Sequence, residues 1–147
     1  MRIAICAVGR MKAGPESDLV SRYSDRLAKS GRALGIDFER VSEIPESRAQ
    51  TADARKAEES AKCLAVADEP GTVLILLDER GKSLSSRSFA ERLRDYRDGG
   101  AGRIVLAIGG PDGHDPELRK RADLVIAFGA QTWPHQMARI MAMEQLY

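Results

Sequence analysis

Three short apolar runs constrain this chain most. They are Ile3–Val8, Thr72–Leu77 (apolar after Thr72) and Arg103–Ile108 (apolar after Arg103). Each is too short for a core helix and carries no polar alternation, which is the pattern of a strand buried on both faces, as in a parallel sheet covered by helices. Between them the spacing changes to a helical period. Residues 16–34 place Leu19, Val20, Tyr23, Leu27 and Leu34 on one side, with Glu16, Ser17 and Asp18 as cap chemistry at the start. Residues 36–41 read as a strand and Glu43–Arg48 as a polar loop. Residues 47–67, rich in Ala, Glu and Lys, read as a helix that Pro70-Gly71 closes. Ser88–Tyr96 is a further helix, stopped by Gly99-Gly100. A short helix at 115–122, a short strand at 123–128 and a final helix entered at Pro134 complete the pattern. Strands alternating with helices predict an α/β domain with a mostly parallel sheet and helices on both faces.

With 147 residues the chain makes one domain, and it can bury a core without staples. It has 23 Lys+Arg against 22 Asp+Glu, a net charge of +1, which excludes a uniformly basic nucleic-acid binder while leaving a local basic face open. Arg119-Lys120-Arg121 with Arg80, Lys82 and Arg87 are the residues for such a face. Cys6 lies in a strand and Cys63 in a helix, without metal-ligand spacing, so both read as buried free thiols. The N-terminal apolar run is too short for a secretory signal, and no run of 18 apolar residues exists to span a membrane. These features point to a cytoplasmic protein.

Three loops follow strands and are candidates for chemistry, because open α/β sheets bind ligands at strand carboxyl ends. Leu77-Asp78-Glu79-Arg80-Gly81-Lys82 offers a carboxylate for a ribose hydroxyl and a glycine for a tight turn. In Ile108-Gly109-Gly110-Pro111-Asp112-Gly113, adjacent glycines admit another backbone or a ligand, and Gly113 permits positive φ. The third loop, Phe128-Gly129-Ala130-Gln131-Thr132-Trp133-Pro134-His135, holds the only Trp and ends at a helix N-terminus with free N–H groups. Each loop also reads as an ordinary turn. His135 is either a base or a locally bonded helix-start side chain, and His114, before a capping Asp115, reads as structural. In the last helix Met137, Ile140, Met141 and Leu146 form an apolar face suited to core or to a subunit interface. The dinucleotide fingerprint, the phosphate-loop lysine, Gly-x-Ser-x-Gly and His-Glu-x-x-His are all missing, which speaks against an oxidoreductase on the Gly109-Gly110 loop, a serine hydrolase and a zinc enzyme.

Taken together, several motifs resemble the RlmH family of knotted SPOUT-class methyltransferases. They are the strand ending Ala7-Val8-Gly9-Arg10, Leu77-Asp78-x-x-Gly81-Lys82 with Ser83-Leu84-Ser85-Ser86, and Ile108-Gly109-Gly110-Pro111-x-Gly113. Thr132-Trp133-Pro134-His135-Gln136-Met137-x-Arg139 and Glu144-Gln145-Leu146-Tyr147 continue the series. The resemblance runs in order from residue 1 to residue 147. It implies a single α/β domain with a C-terminal trefoil knot, a homodimer, and S-adenosyl-L-methionine bound in the knot loops. It also implies methylation of N3 of a pseudouridine in 23S ribosomal RNA on the assembled ribosome, which the near-neutral charge suits better than free RNA. Carried over by residue, the cofactor pocket comprises Leu77, Gly109, Phe128, Gly129, Ala130, Gln131, Thr132 and Trp133, with no metal. His135 and Arg139 are the candidates for handling the acceptor proton or the anion it leaves. Family members continue past the Glu-Gln-x-Tyr segment into a tail ending near Pro-Tyr-His-Arg, which is absent after Tyr147 here. The alternative is therefore a non-catalytic ribosome- or RNA-binding module of the same fold.

Overall fold

The computed structural model describes every residue, Met1–Tyr147. Five strands form one parallel sheet in the order β2-β1-β4-β3-β5. The strands are β1 (Arg2–Val8), β2 (Asp37–Ile44), β3 (Thr72–Ser83), β4 (Arg103–Ile108) and β5 (Leu124–Ala127). The helices are α1 (Pro15–Ser30), α2 (Ala52–Ala67), α3 (Ser86–Asp98), α4 (Pro116–Arg121) and α5 (His135–Leu146), with a 3-10 turn at Gly31–Leu34.

The apolar runs divide by the two-residue period of a strand. Ile3, Ile5 and Ala7 of β1 join Ile75, Ile104, Leu106, Ile108 and Ile126 on one face, under Leu27 of α1, Phe89 and Leu93 of α3, and Ala138, Ala142, Met143 and Leu146 of α5. Ala4, Cys6 and Val8 join Leu74, Leu76, Val105 and Ala107 on the other, under Cys63 of α2 and Leu118 of α4. Helices therefore cover both faces, as expected. Cys6 and Cys63 are free and buried, as read, and their Sγ atoms lie 3.0 Å apart across the strand–helix contact. That mutual hydrogen bond, with burial, pushes the Cys6 thiol far above the ordinary range.

Several boundaries move for local reasons. The cap of α1 is Gly14 before Pro15, with no side-chain hydrogen bond, so Glu16 and Asp18 act only as first-turn acids. The chain then tightens at Gly31, ending α1 before Leu34. Strand β2 continues through Glu43 and Ile44 because Ala7 and Val8 of β1 supply backbone partners there. Helix α2 starts only at Ala52, where Thr51 accepts the Ala54 N–H at 3.1 Å. In α5, Met137 is 42% exposed, and the buried face is Ala138, Ile140, Ala142, Met143 and Leu146.

The largest departure is in β3. It was expected to end at Leu77, but it runs to Ser83. Leu77 and Lys82 both stand opposite Ile126 of β5, so residues 78–81 form an excursion between two pairings. Gly81 was read as a turn glycine. It serves close approach instead: a Cβ there would lie 2.6 Å from the Ile126 carbonyl oxygen and 2.7 Å from its Cα. No side chain fits between the excursion and the β5 backbone.

Candidate active site

The start of the excursion in β3, the carboxyl ends of β4 and β5 and the start of α5 enclose a cavity of about 550 Å³. The three loops singled out in the sequence build its wall. Leu77, Gly109, Phe128, Gly129, Gln131, Thr132 and Trp133 all line it, as does His135. Ala130 does not line it, although it lies in the same exposed loop. Arg139 does not line it either.

The loop after β5 is shaped by its own side chains. Gly129 turns the chain at φ +90°, and Trp133 Nε1 donates to the Phe128 carbonyl at 3.0 Å. None of the turn and loop hydrogen bonds of the backbone uses an amide of residues 129–133, so these N–H groups stay available to a ligand. Helix α5 begins directly after them, capped by Pro134 without a side-chain bond, and its first amides add to the supply of donors.

The loop after β4 shows the first of the two uses expected of its glycines, close approach of another part of the chain. A Cβ on Gly109 would meet Gly113 at 3.2 Å and the His114 ring at 3.3 Å, and one on Gly110 would meet Val8 at 2.9 Å. These glycines let the loop close on itself and on β1, and both also line the cavity. Gly113 takes φ +81°, as its place in the turn requires.

His114 is structural in its bonds, yet it lines the cavity. It is buried, and Nε2 lies 3.1 Å from the Leu77 carbonyl, tying the loop after β4 to β3 where its excursion begins. Burial holds its pKa below the ordinary histidine value, against the opposing pull of Asp78. Asp78 carries a mostly buried carboxylate. One oxygen accepts the Arg80 N–H at 2.9 Å, and the other lies 3.4 Å from Arg119 Nε, a charge contact that leaves that Nε without a hydrogen bond. Glu79 also lines the cavity, with Thr132 Oγ1 3.4 Å from its carboxylate.

Arg139 is a buried brace. Nη1 donates to Glu43 at 2.9 Å and Nη2 to the Gly9 carbonyl at 2.8 Å, locking α5 to the ends of β1 and β2. Burial pushes the Glu43 carboxyl up, but the Met11 amide and Arg139 outweigh it and hold the group below the usual range. The direct catalytic role expected of Arg139 is not what this placement supports. His135 is half-buried in the cavity wall, with its Nε2 and the Glu46 carboxylate both closing on Gly9. Ile108, the first residue of the second candidate loop, lines the cavity, and so do Ala127 and Ala138, which the sequence marks only as strand and helix positions. Of the expected basic face, Arg119 pairs with Asp78 and Lys120 with Glu117, while Arg80, Lys82 and Arg87 remain exposed.

A parallel sheet whose loops enclose a cavity at a helix N-terminus defines a class: an open α/β domain with a cavity at the place where such sheets bind ligands. Comparison with known proteins narrows it. The family model described as "Predicted SPOUT methyltransferase" matches residues 1–147, and the chain belongs to that family. It is similar to the ribosomal RNA large subunit methyltransferase H of Brucella anthropi, 60% identical over 147 residues that span all of this chain and 91% of that protein. The protein of the same name from Mesorhizobium japonicum is 58% identical over all of this chain and 91% of its own length. That from Chelativorans is 60% identical over all of this chain and 84% of its own length.

Proposed function

We propose that the chain transfers a methyl group from S-adenosylmethionine to N3 of a pseudouridine in 23S ribosomal RNA, as a homodimer working on the assembled ribosome in the cytoplasm. The single observation that carries the reading is the cavity itself. Its size suits a nucleoside-sized molecule, and its wall combines apolar surfaces with unused backbone donors and three carboxylates, Asp78, Glu79 and Asp112. The donor supplies a methyl group on a cationic sulfonium, ready for in-line displacement. Leu77, Phe128 and Trp133 provide apolar surface for an adenine ring. The amides of residues 129–133 would meet its polar edges, and the side chains of Asp78 and Glu79 give the wall negative charge that would favour a cationic donor. The enzyme's task is then mainly orientation of donor and acceptor. The acceptor N3–H must lose its proton, and His135, at the positive end of α5, is placed to take it or to steady the anion. Arg139 contributes by holding Gly9 and the loop after β1 in place.

The names of the similar proteins support ribosomal RNA as the substrate. Arg80, Lys82 and Arg87 are the phosphate contacts in this reading, and no helix is long and apolar enough to cross a membrane. The same reading takes the 78–81 excursion, closed on β5 at Gly81, as one edge of a C-terminal trefoil knot. The test incubates the chain and labelled S-adenosylmethionine with ribosomes lacking the modification, and with naked 23S RNA, followed by mass mapping. Methylation of one pseudouridine on ribosomes alone is expected. Donor binding without transfer to either substrate overturns the enzyme in favour of a binding module. Absence of binding overturns the cofactor itself.

A further inference from the structure

Helix α2 is tied to the back of the loop after β4. Arg55 Nε donates to Asp112 Oδ2 at 2.7 Å and Nη2 to Oδ1 at 3.2 Å, a two-pronged pair. The third arm of the guanidinium, Nη1, donates to the Ala49 carbonyl at 3.1 Å, anchoring Arg55 to the segment before α2. One turn on, Glu59 stands behind Gly110: a Cβ on that glycine would lie 3.3 Å from Glu59 Oε2, an oxygen with no hydrogen-bond partner. The neighbouring Ser60 Oγ accepts the Asp115 N–H at 3.1 Å. Residues 55 and 59 share one face of the helix, and Ser60 flanks it.

The loop needs such a tie. Gly109, Gly110 and Gly113 leave its backbone many alternative conformations, and its only internal backbone bond runs from the Gly113 amide to the Gly110 carbonyl at 3.0 Å. Asp112 lines the cavity while Arg55 does not. The Arg55 hydrogen bond holds the Asp112 carboxyl below the usual range, so the pair persists at neutral pH.

We infer that Arg55 is a positioning residue for cofactor binding: through Asp112 it holds the 109–113 loop in the shape that closes one wall of the cavity. This rests on the methyl-donor reading of that cavity. Both side chains are partly exposed, 30% and 25%, so the pair adds little to global stability. Its contribution is to order one loop before the ligand arrives.

The experiment compares the parent chain with Arg55→Ala and Arg55→Lys. Affinity for S-adenosylhomocysteine is measured by calorimetry, amide exchange by mass spectrometry on the ligand-free chains, and stability by thermal melting. Arg55→Ala should weaken binding about fivefold, the worth of one good ion pair, and speed exchange in residues 109–115 alone. Its melting temperature should change by no more than about 2–4 °C. Arg55→Lys, which keeps the charge but loses the fork, should fall between. Unchanged affinity in Arg55→Ala, beside a parent chain that binds, overturns the inference and leaves the cavity reading intact. Faster exchange across the whole sheet also overturns it, by making Arg55 a structural residue. A parent chain that binds nothing overturns the methyl-donor reading and this inference with it.

Discussion

Gly81→Ala probes the contact that closes the 78–81 excursion on β5. The added Cβ would stand 2.6 Å from the Ile126 carbonyl oxygen and 2.7 Å from its Cα. Comfortable separation for such atoms is about 3.5 Å, so something must move by roughly 1 Å. The obstacle is backbone, and it is held on both sides of the excursion, since Leu77 and Lys82 both pair at Ile126. No rotamer change can relieve it. Overpacking of this kind costs about 1–3 kcal/mol, and a rigid obstacle places this case near 3 kcal/mol. For a domain of this length each kcal/mol lowers the melting temperature by about 2–4 °C, so a drop of about 6–12 °C is expected. Asp78 and Glu79 belong to the same excursion and line the cavity, so donor affinity should fall as well. Gly100→Ala is the control. It has φ +89° but open space around it, so it carries only the left-handed backbone penalty of about 1–2 kcal/mol, with no effect on binding. Urea unfolding and calorimetric titration of both variants decide the matter. A Gly81→Ala chain that unfolds at the parent midpoint with the parent slope would refute the reasoning.

Two further outcomes follow from the bracing around the site. Arg139→Met should cost about 2–3 kcal/mol in urea unfolding, since it strips the Gly9 carbonyl of its partner and leaves Glu43 with only the Met11 amide; lost turnover at unchanged stability would return Arg139 to direct chemistry. Burial lowers the His114 pKa below 6.5 in the folded chain, so on acidification the unfolded chain takes up that proton first. Stability should therefore be full above about pH 6.5 and decline as pH falls toward the folded value. Thermal melts across this range should show the decline in the parent and a flatter profile in His114→Asn; an equal slope in both would remove His114 as the source.

Much of the architecture was legible because burial leaves a local trace. The runs 3–8, 72–77 and 103–108 had to be strands of a covered sheet, since no other element buries so short an apolar stretch on both sides. Glycines and a proline directly after strands marked the three loops of the cavity, and the order of those motifs carried the family. The polar half of β3 left no such trace: Lys82 and Ser83 become strand only because Ile126 and Ala127 offer backbone partners. In α5, Met137 and Ala138 are adjacent and both apolar, so which one faces the core depends on how the helix is docked against the sheet.

The sequence alone therefore determined the α/β class, the buried strands and the loops that line the cavity, because those follow from period, run length and turn chemistry within a few residues. Only the tertiary structure decided the pairings over long separations. Arg55 meets Asp112 across 57 residues, Cys6 meets Cys63 across 57, and Arg139 reaches Gly9 across 130. Charged residues such as Arg55 and Arg139 look alike in a sequence, whether solvated or braced. What distinguishes them is the partner that folding brings within 3 Å.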